Sequence, residues 1–199
     1  MPDLSIESLY SNYVIVGIDE VGRGAWAGPL VAGAVIINQA AKDISYINDS
    51  KKMKLHERAV ASQLIWNEHT CGIGVVSVGE INELGLNPAT FLAIDRAIKA
   101  LSKTPTFALI DGNYKSAFAI PHRNVIRGDS ISVSIAAASV IAKVYRDSLM
   151  RELDREFSVY NWQSNVGYGT KAHMSGLIMS GISEHHRKNY RPIQEIAGL

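Results

Sequence analysis

The chain has 199 residues, 47% apolar and 20% charged, with 16 glycines and 6 prolines, which is ordinary globular usage and excludes collagen-like and disordered chains. Twenty basic residues against nineteen acidic ones leave a net charge of +1, so no global field draws the protein to a polyanion and any such site is local. A single cysteine, Cys71, excludes an internal disulfide and a cysteine-built zinc site and fits a reducing, cytoplasmic setting.

The length favours one domain over residues 1–199. Asp3 and Glu7, with no basic segment ahead of an apolar stretch, argue against a cleavable leader. The longest apolar runs fall short of the roughly 18 residues that a membrane span requires. In chain order, residues 13–18 are a continuous apolar run rich in Val and Ile, which predicts a strand buried on both faces. Runs at 30–37, after Gly28-Pro29, and at 72–78 predict two more. Ser50 is placed to cap a helix that begins at the lysines, with Met53, Val60 and Leu64 on one face. Asn87-Pro88 starts a second helix, with Phe91, Ile94, Ile98 and Leu101 recurring at three, four and three. Residues 106–110 predict a fourth strand and 124–126 a short fifth. From 131 to 157 the set Ile131, Ile135, Ala138, Ala142, Tyr145 and Leu149 predicts a helix about 40 Å long. Gly167, Gly169 and a His-rich tail then predict a helical region from about 158 to 199, packed on the rest.

Asp19 and Glu20 close the first predicted strand, Asp111 closes the fourth, and Asp129 precedes the long helix. Any one of them can be a solvated turn residue or a helix cap. Acids directly after two buried strands point instead to a site, because open α/β sheets place ligands beyond strand ends. If strands one and four are neighbours, these ends meet. Two like charges about 5 Å apart at an effective dielectric near 20 repel by roughly 3 kcal/mol, so six pairs among four carboxylates approach about 20 kcal/mol. A whole domain has only about 5–15 kcal/mol of stability. The set therefore binds protons or counterions. All-oxygen ligands favour Mg2+ or Mn2+ over zinc, and a pair of such ions is a recurring device for phosphodiester hydrolysis.

Gly22-Arg23-Gly24-Ala25-Trp26-Ala27 also fits the loose G-x-G-x-x-A dinucleotide pattern. A helix should then follow, yet Gly28-Pro29 and a β-rich run come next, and Asp19-Glu20 would repel a pyrophosphate. A dinucleotide-binding oxidoreductase is therefore the weaker alternative. The glycines can instead bring backbone N–H groups close to a sugar or phosphate, with Arg23 as a phosphate donor.

The segments Gly17-Ile18-Asp19-Glu20-Val21-Gly22-Arg23-Gly24, Asn48-Asp49-Ser50-Lys51-Lys52, Leu109-Ile110-Asp111-Gly112-Asn113, Gly128-Asp129-Ser130 and Ala137-Ala138-Ser139-Val140-Ile141-Ala142-Lys143-Val144-Tyr145-Arg146-Asp147 resemble, in order, bacterial ribonuclease HII. The likeness runs from about residue 13 to 193. It implies a ribonuclease H-like α/β fold, a five-stranded mixed sheet flanked by helices with a C-terminal helical extension. It also implies cleavage of the RNA strand of RNA/DNA hybrids and incision 5′ of single ribonucleotides in duplex DNA, leaving 3′-hydroxyl and 5′-phosphate ends. The family's catalytic, metal-holding acids match Asp19, Glu20, Asp111 and Asp129, with Mg2+ or Mn2+ as the ion. Asp147 matches a further acid, read as supporting the ligands rather than holding an ion.

On the same resemblance, the backbone of Gly22, Arg23 and Gly24 contacts the ribonucleotide's 2′-hydroxyl and the junction phosphates, and Tyr168 packs on the next sugar. A 2′-hydroxyl is the group that separates RNA from DNA, so the pairing is chemically sensible. Ser50, Lys51, Lys52, Lys143 and Arg187 are read as further substrate contacts, with Lys188 and Arg191 beside them. A solvated charge run is the plain alternative for each, and Lys143 at four residues from Asp147 can be only its intrahelical partner. His185-His186 lack the spacing of a zinc site and are read as phosphate-binding or structural. Val166 stands where Lys is common, Ser134 and Ala136 where Glu and Ser are usual, and Asn82 where Asp is. These departures bear on affinity more than on chemistry. A monomer is expected, and the 191–199 tail shows no aromatic clamp-binding motif. A nucleic-acid-binding module that kept the fold without catalysis is the remaining alternative, against which the intact acids argue.

Overall fold

The computed structural model describes residues 1–41, 43–114, 118 and 120–198; Leu199, the end of the tail searched for a clamp motif, lies outside them. Among the described residues, strands β1 (Ile15–Val21), β2 (Leu30–Ile36), β3 (Thr70–Val76), β4 (Phe107–Asp111) and β5 (His122–Val125) form one sheet in the order β3-β2-β1-β4-β5. β1 pairs antiparallel with β2 and parallel with β4, and β5 continues in parallel. The helices are α1 (Ser5–Ser8), α2 (Leu55–Glu68), α3 (Val78–Leu84), α4 (Leu86–Lys99), α5 (Val133–Glu156), α6 (Trp162–Asn165), α7 (Lys171–Ser180) and α8 (Arg191–Ala197). None of them is long and apolar enough to cross a membrane.

The sheet separates two apolar layers. On one face, Ala89, Ala93, Ile94 and Ala97 of α4 pack on β1 and β2 through Val16, Ile18, Ala32 and Ala34. On the other, α5 lies over Val35 with Ala61 and Ile65 of α2 beside it. Full burial of each such Val, Leu or Ile contributes about 1.5–3 kcal/mol. The approach of α5 depends on Gly17, where a Cβ would lie 2.1 Å from the Ser134 carbonyl carbon. Any larger residue there would lift the helix from the sheet.

Several expectations are corrected in detail. β1 extends to Val21, so Asp19 and Glu20 lie within the strand rather than after it. Val78 leaves the third strand for α3, because Ser77 and Glu80 form a capping box: Ser77 N–H donates to Glu80 Oε2 (2.9 Å), and Ser77 Oγ accepts from Glu80 N–H (3.3 Å). Ser50 caps nothing. α2 begins after Lys54, whose N–H donates to Glu57 Oε2 (2.9 Å), and its inner face is Ala61, Ser62 and Ile65 while Val60 is exposed. On α5 every residue from Val133 to Ala142 is buried, so the N-terminal half has no polar stripe, and the expected face members Ile131 and Tyr145 are exposed.

Ser134, one of the departures, has a partner in the fold. Glu7 of α1 is buried, and its Oε1 accepts from Ser132 Oγ (2.6 Å), Ser134 N (2.9 Å) and Ser134 Oγ (2.7 Å). A carboxylate from the N-terminal segment thus sits at the start of α5, where the helix dipole favours negative charge. Met150, in the C-terminal half of α5, forms a separate apolar cluster with Tyr160, Trp162, Leu177 and Ile193 that also takes in Ala27.

Candidate functional site

The register Ile18↔Ile110 of the parallel β1 and β4 pair brings Asp19 beside Asp111, the last residue of β4. Side chains alternate along a strand. Asp19 therefore shares the α5 face with Gly17, while Glu20 shares the α4 face with Ile18. Asp129 arrives from the 3-10 turn Gly128–Ser130 at the foot of α5. Asp19 and Asp129 are buried, and Glu20 and Asp111 are half-buried.

The Asp19 carboxyl feels the charge of the other three. Burial, then the Glu20 and Asp111 charges, push the Asp19 carboxyl well above the ordinary carboxylate range; Asp129 adds to this and Ser139 opposes it. Burial raises Glu20, which Tyr114 and Arg23 counter. Asp111 is raised by burial and by Asp129 against the pull of the Gly128 N–H. Lys51 is the local counter-charge: its Nζ donates to Asp129 Oδ2 at 2.6 Å. The geometry is not a finished metal cage. Among the described residues no three acidic, His or Cys side chains converge on one point. Asp19 and Glu20 leave opposite faces of the strand, Asp111 Oδ1 accepts from Gly128 N (2.7 Å), and Asp129 is held by Lys51. Charge and all-oxygen donor chemistry fit hard divalent ions.

The two proposed substrate segments are adjacent. A Cβ on Gly24 would meet Tyr168 Cε1 at 3.6 Å, and Tyr168 is 37% exposed. Gly22 has φ +93°, and a Cβ there would lie 2.2 Å from Arg146 Nε, so only glycine fits. The N–H groups of Gly22, Arg23 and Gly24 have no acceptor among the described residues, while Ala25 N returns to Gly22 O (3.3 Å). Arg23 reaches Tyr114 Oη (3.2 Å) and Asn87 Oδ1 (3.0 Å).

The remaining residues divide. Lys51 and Lys52 are exposed next to the acids, with Lys52 3.3 Å from Asp49. Ser50 is buried, its Oγ 2.9 Å from Ser139 Oγ. Lys143 Nζ donates to Asp147 Oδ1 at 2.7 Å, so the intrahelical pairing forms. Arg187 is corrected: it is fully buried, and backbone carbonyls take up its guanidinium. Lys188 and Arg191 remain on the surface, and Asn82 accepts the Lys188 N–H (2.9 Å). His186 is buried against His173, Nε2 to Nε2 at 3.0 Å, which favours the structural reading.

Tyr114 and Arg146 were not singled out by sequence. Arg146 could have been: it continues the buried Ala138, Ala142 stripe by four residues, where an apolar side chain was due. Tyr114 had no such signal beyond following Asp111-Gly112-Asn113.

A model of the family "Ribonuclease HII" matches residues 16–192. The chain belongs to the ribonuclease HII family. Ribonuclease HII of Wolbachia pipientis subsp. Culex pipiens is 45% identical over 193 residues, covering 97% of this chain and 98% of its own. The activity is accordingly that of an endoribonuclease. Among solved structures, ribonuclease H2 from Pyrococcus horikoshii OT3 aligns with a TM-score of 0.78 at 20% identity, over 92% of this chain and 97% of its own. Bst-RNase HIII in complex with Mn2+ aligns at 0.71 and 18% identity, over 92% and 69%. These two likenesses establish the ribonuclease H-like fold.

Proposed function

We propose that the chain is a single-domain, cytoplasmic, Mg2+- or Mn2+-dependent ribonuclease HII that cuts hybrids and incises 5′ of single ribonucleotides in duplex DNA. Asp19, Glu20, Asp111 and Asp129 would hold the ions. What supports this is the placing of Asp19 beside Asp111 by the β1–β4 register, with the charges of Glu20, Asp111 and Asp129 all adding to burial in raising the Asp19 carboxyl. A cluster that is costly empty favours dications when they are offered. Bound there, divalent ions lower the proton affinity of water and neutralise charge at the phosphodiester.

The chain's own residues supply the rest. The N–H groups at residues 22–24, which have no acceptor among the described residues, are available to a phosphate or a 2′-hydroxyl, and Tyr168 offers a ring next to Gly24 for a sugar lacking that hydroxyl. Arg23, held by Tyr114 and Asn87, places a cation beside the same turn. Lys51 balances the charge of Asp129 through its 2.6 Å bond to Oδ2. Asp147 restrains Lys143 behind the acids. The test is incubation with a DNA duplex bearing one ribonucleotide: a nick 5′ of it, dependent on Mg2+ or Mn2+, is expected. A nick unaffected by chelation, or none at all, would overturn the proposal.

A further inference from the structure

Arg146 and Arg187 are both fully buried, and neither is paired with a carboxylate among the described residues. Taking a guanidinium out of water is costly, and the usual relief is an acid partner. Here the relief comes entirely from one stretch of chain and its neighbours. Arg146 donates from Nε to Pro29 O (2.8 Å), from Nη2 to Ala27 O (3.1 Å) and from Nη1 to Val166 O (2.8 Å). Arg187 donates to Gly28 O from Nε (3.1 Å) and Nη2 (2.9 Å), and to Arg23 O from Nη1 (3.0 Å). Its Nη1 also reaches Tyr190 Oη (3.1 Å), and the Tyr190 hydroxyl donates to the same Arg23 carbonyl. The carbonyls of Arg23, Ala27, Gly28 and Pro29 are taken up by two cations, while the N–H groups of Gly22, Arg23 and Gly24 have no acceptor among the described residues.

The other end of the clamp is strained. Val166 has φ +44° and ψ +36°, a left-handed backbone that is costly for a β-branched residue. Its carbonyl is the one taken by Arg146, and the next carbonyl, Gly167 O, accepts Trp26 N–H (2.8 Å). Tyr168 follows at once, its ring centroid 5.9 Å from Arg146 Cζ. One guanidinium therefore spans both segments that flank the open edge of the turn.

We propose that Arg146 and Arg187 are positioning residues for ribonucleotide recognition, fixing the gap between the 22–24 turn and the Tyr168 ring; this rests on the reading of those two segments as substrate contacts. The experiment uses the full chain with Asp111→Asn to stop cleavage. It measures Kd at one salt concentration for a duplex with a single ribonucleotide and for the all-DNA duplex. Arg146→Lys keeps the charge and stem but loses the planar fork. It is expected to lower the preference for the ribonucleotide about tenfold, as the loss of one charge-assisted hydrogen bond in the clamp would, with all-DNA affinity unchanged. Tyr190→Phe deletes one hydroxyl and is expected to lower the preference about threefold. Val166→Gly, free of left-handed strain, is expected to restore part of the preference lost in Arg146→Lys. An unchanged preference in Arg146→Lys and Tyr190→Phe, or an equal loss on both duplexes, overturns the inference. Should Arg146→Lys fail to fold, Tyr190→Phe decides alone. Tyr168→Ala separates the two levels: if it abolishes the preference while the clamp variants keep it, only the clamp fails, and if it too keeps the preference, the substrate reading fails.

Discussion

Gly22→Ala tests the turn at its tightest point. Gly22 sits at φ +93°, and a left-handed backbone costs a residue with a Cβ about 1–2 kcal/mol. The added methyl would lie 2.2 Å from Arg146 Nε and 2.8 Å from Arg146 Cδ and Cζ. Ordinary contact begins near 3.4 Å, so the guanidinium would have to retreat by about 1 Å. It has little room, because its donors sit 2.8–3.1 Å from three carbonyls. Weakening one such charge-assisted bond in a buried site costs about 1.5–3 kcal/mol. The sum is a loss of about 3–5 kcal/mol, and at about 2–4 °C per kcal/mol for a chain of this size the melting temperature falls by about 10 °C. Because Arg146 also holds Val166, kcat/KM on the single-ribonucleotide duplex is expected to fall about a hundredfold at temperatures where the variant is folded. Thermal unfolding and steady-state kinetics read both quantities. A variant that melts within 2 °C of the parent and cleaves normally would refute the close packing on which the reasoning depends.

Three further outcomes follow from the same geometry. Asp111→Asn is expected to lower cleavage by about a thousandfold or more while duplex binding persists, since electrostatic stabilisation is usually the largest catalytic contribution; gel-based cleavage and fluorescence anisotropy measure the two separately. Asp19→Asn is expected to raise the melting temperature without divalent ions. The parent's raised carboxyl makes stability fall as pH rises above the ordinary carboxylate range, toward the raised folded value. The same variant is expected to lose the stabilisation that added Mn2+ gives the parent. A third expectation concerns His186, which burial and His173 depress to about 4. The unfolded chain then binds a proton that the folded one refuses, so stability is full above the ordinary imidazole value of about 6.5. It is lost as pH falls toward 4, by about 3 kcal/mol in total. Denaturant titrations of the parent and of His186→Gln across that range check it, the variant showing the flatter profile.

The parts of the fold set by local periodicity were legible in the sequence, and the parts set by tertiary surroundings were not. Strand positions followed from unbroken Val and Ile runs, which few other elements tolerate. The face of α2 was misplaced because Ala61 and Ser62 carry almost no hydrophobic signal although both are buried. The face of α5 was blurred because its first half is enclosed on all sides. Asp19, Glu20 and Asp111 could be picked out because they close buried runs, and Asp129 because it directly precedes the long helix. That Asp19 and Glu20 leave opposite sides of β1 was implicit in the period of two, and this keeps the four carboxylates from forming a ready-made cage. Arg187 was read as surface because a cation in a basic run is usually solvated. Its burial depends on carbonyls about 160 residues earlier in the chain, which no local pattern announces.

Anomalous diffraction at the manganese edge, from crystals of the protein soaked in Mn2+ with a single-ribonucleotide duplex bound, asks most directly whether the four acids are one ion site. Peaks ligated by Asp19, Glu20, Asp111 and Asp129, with Lys51 withdrawn from Asp129, are the result expected. Manganese bound elsewhere, with the Lys51 to Asp129 pair still in place beside a bound substrate, would contradict it.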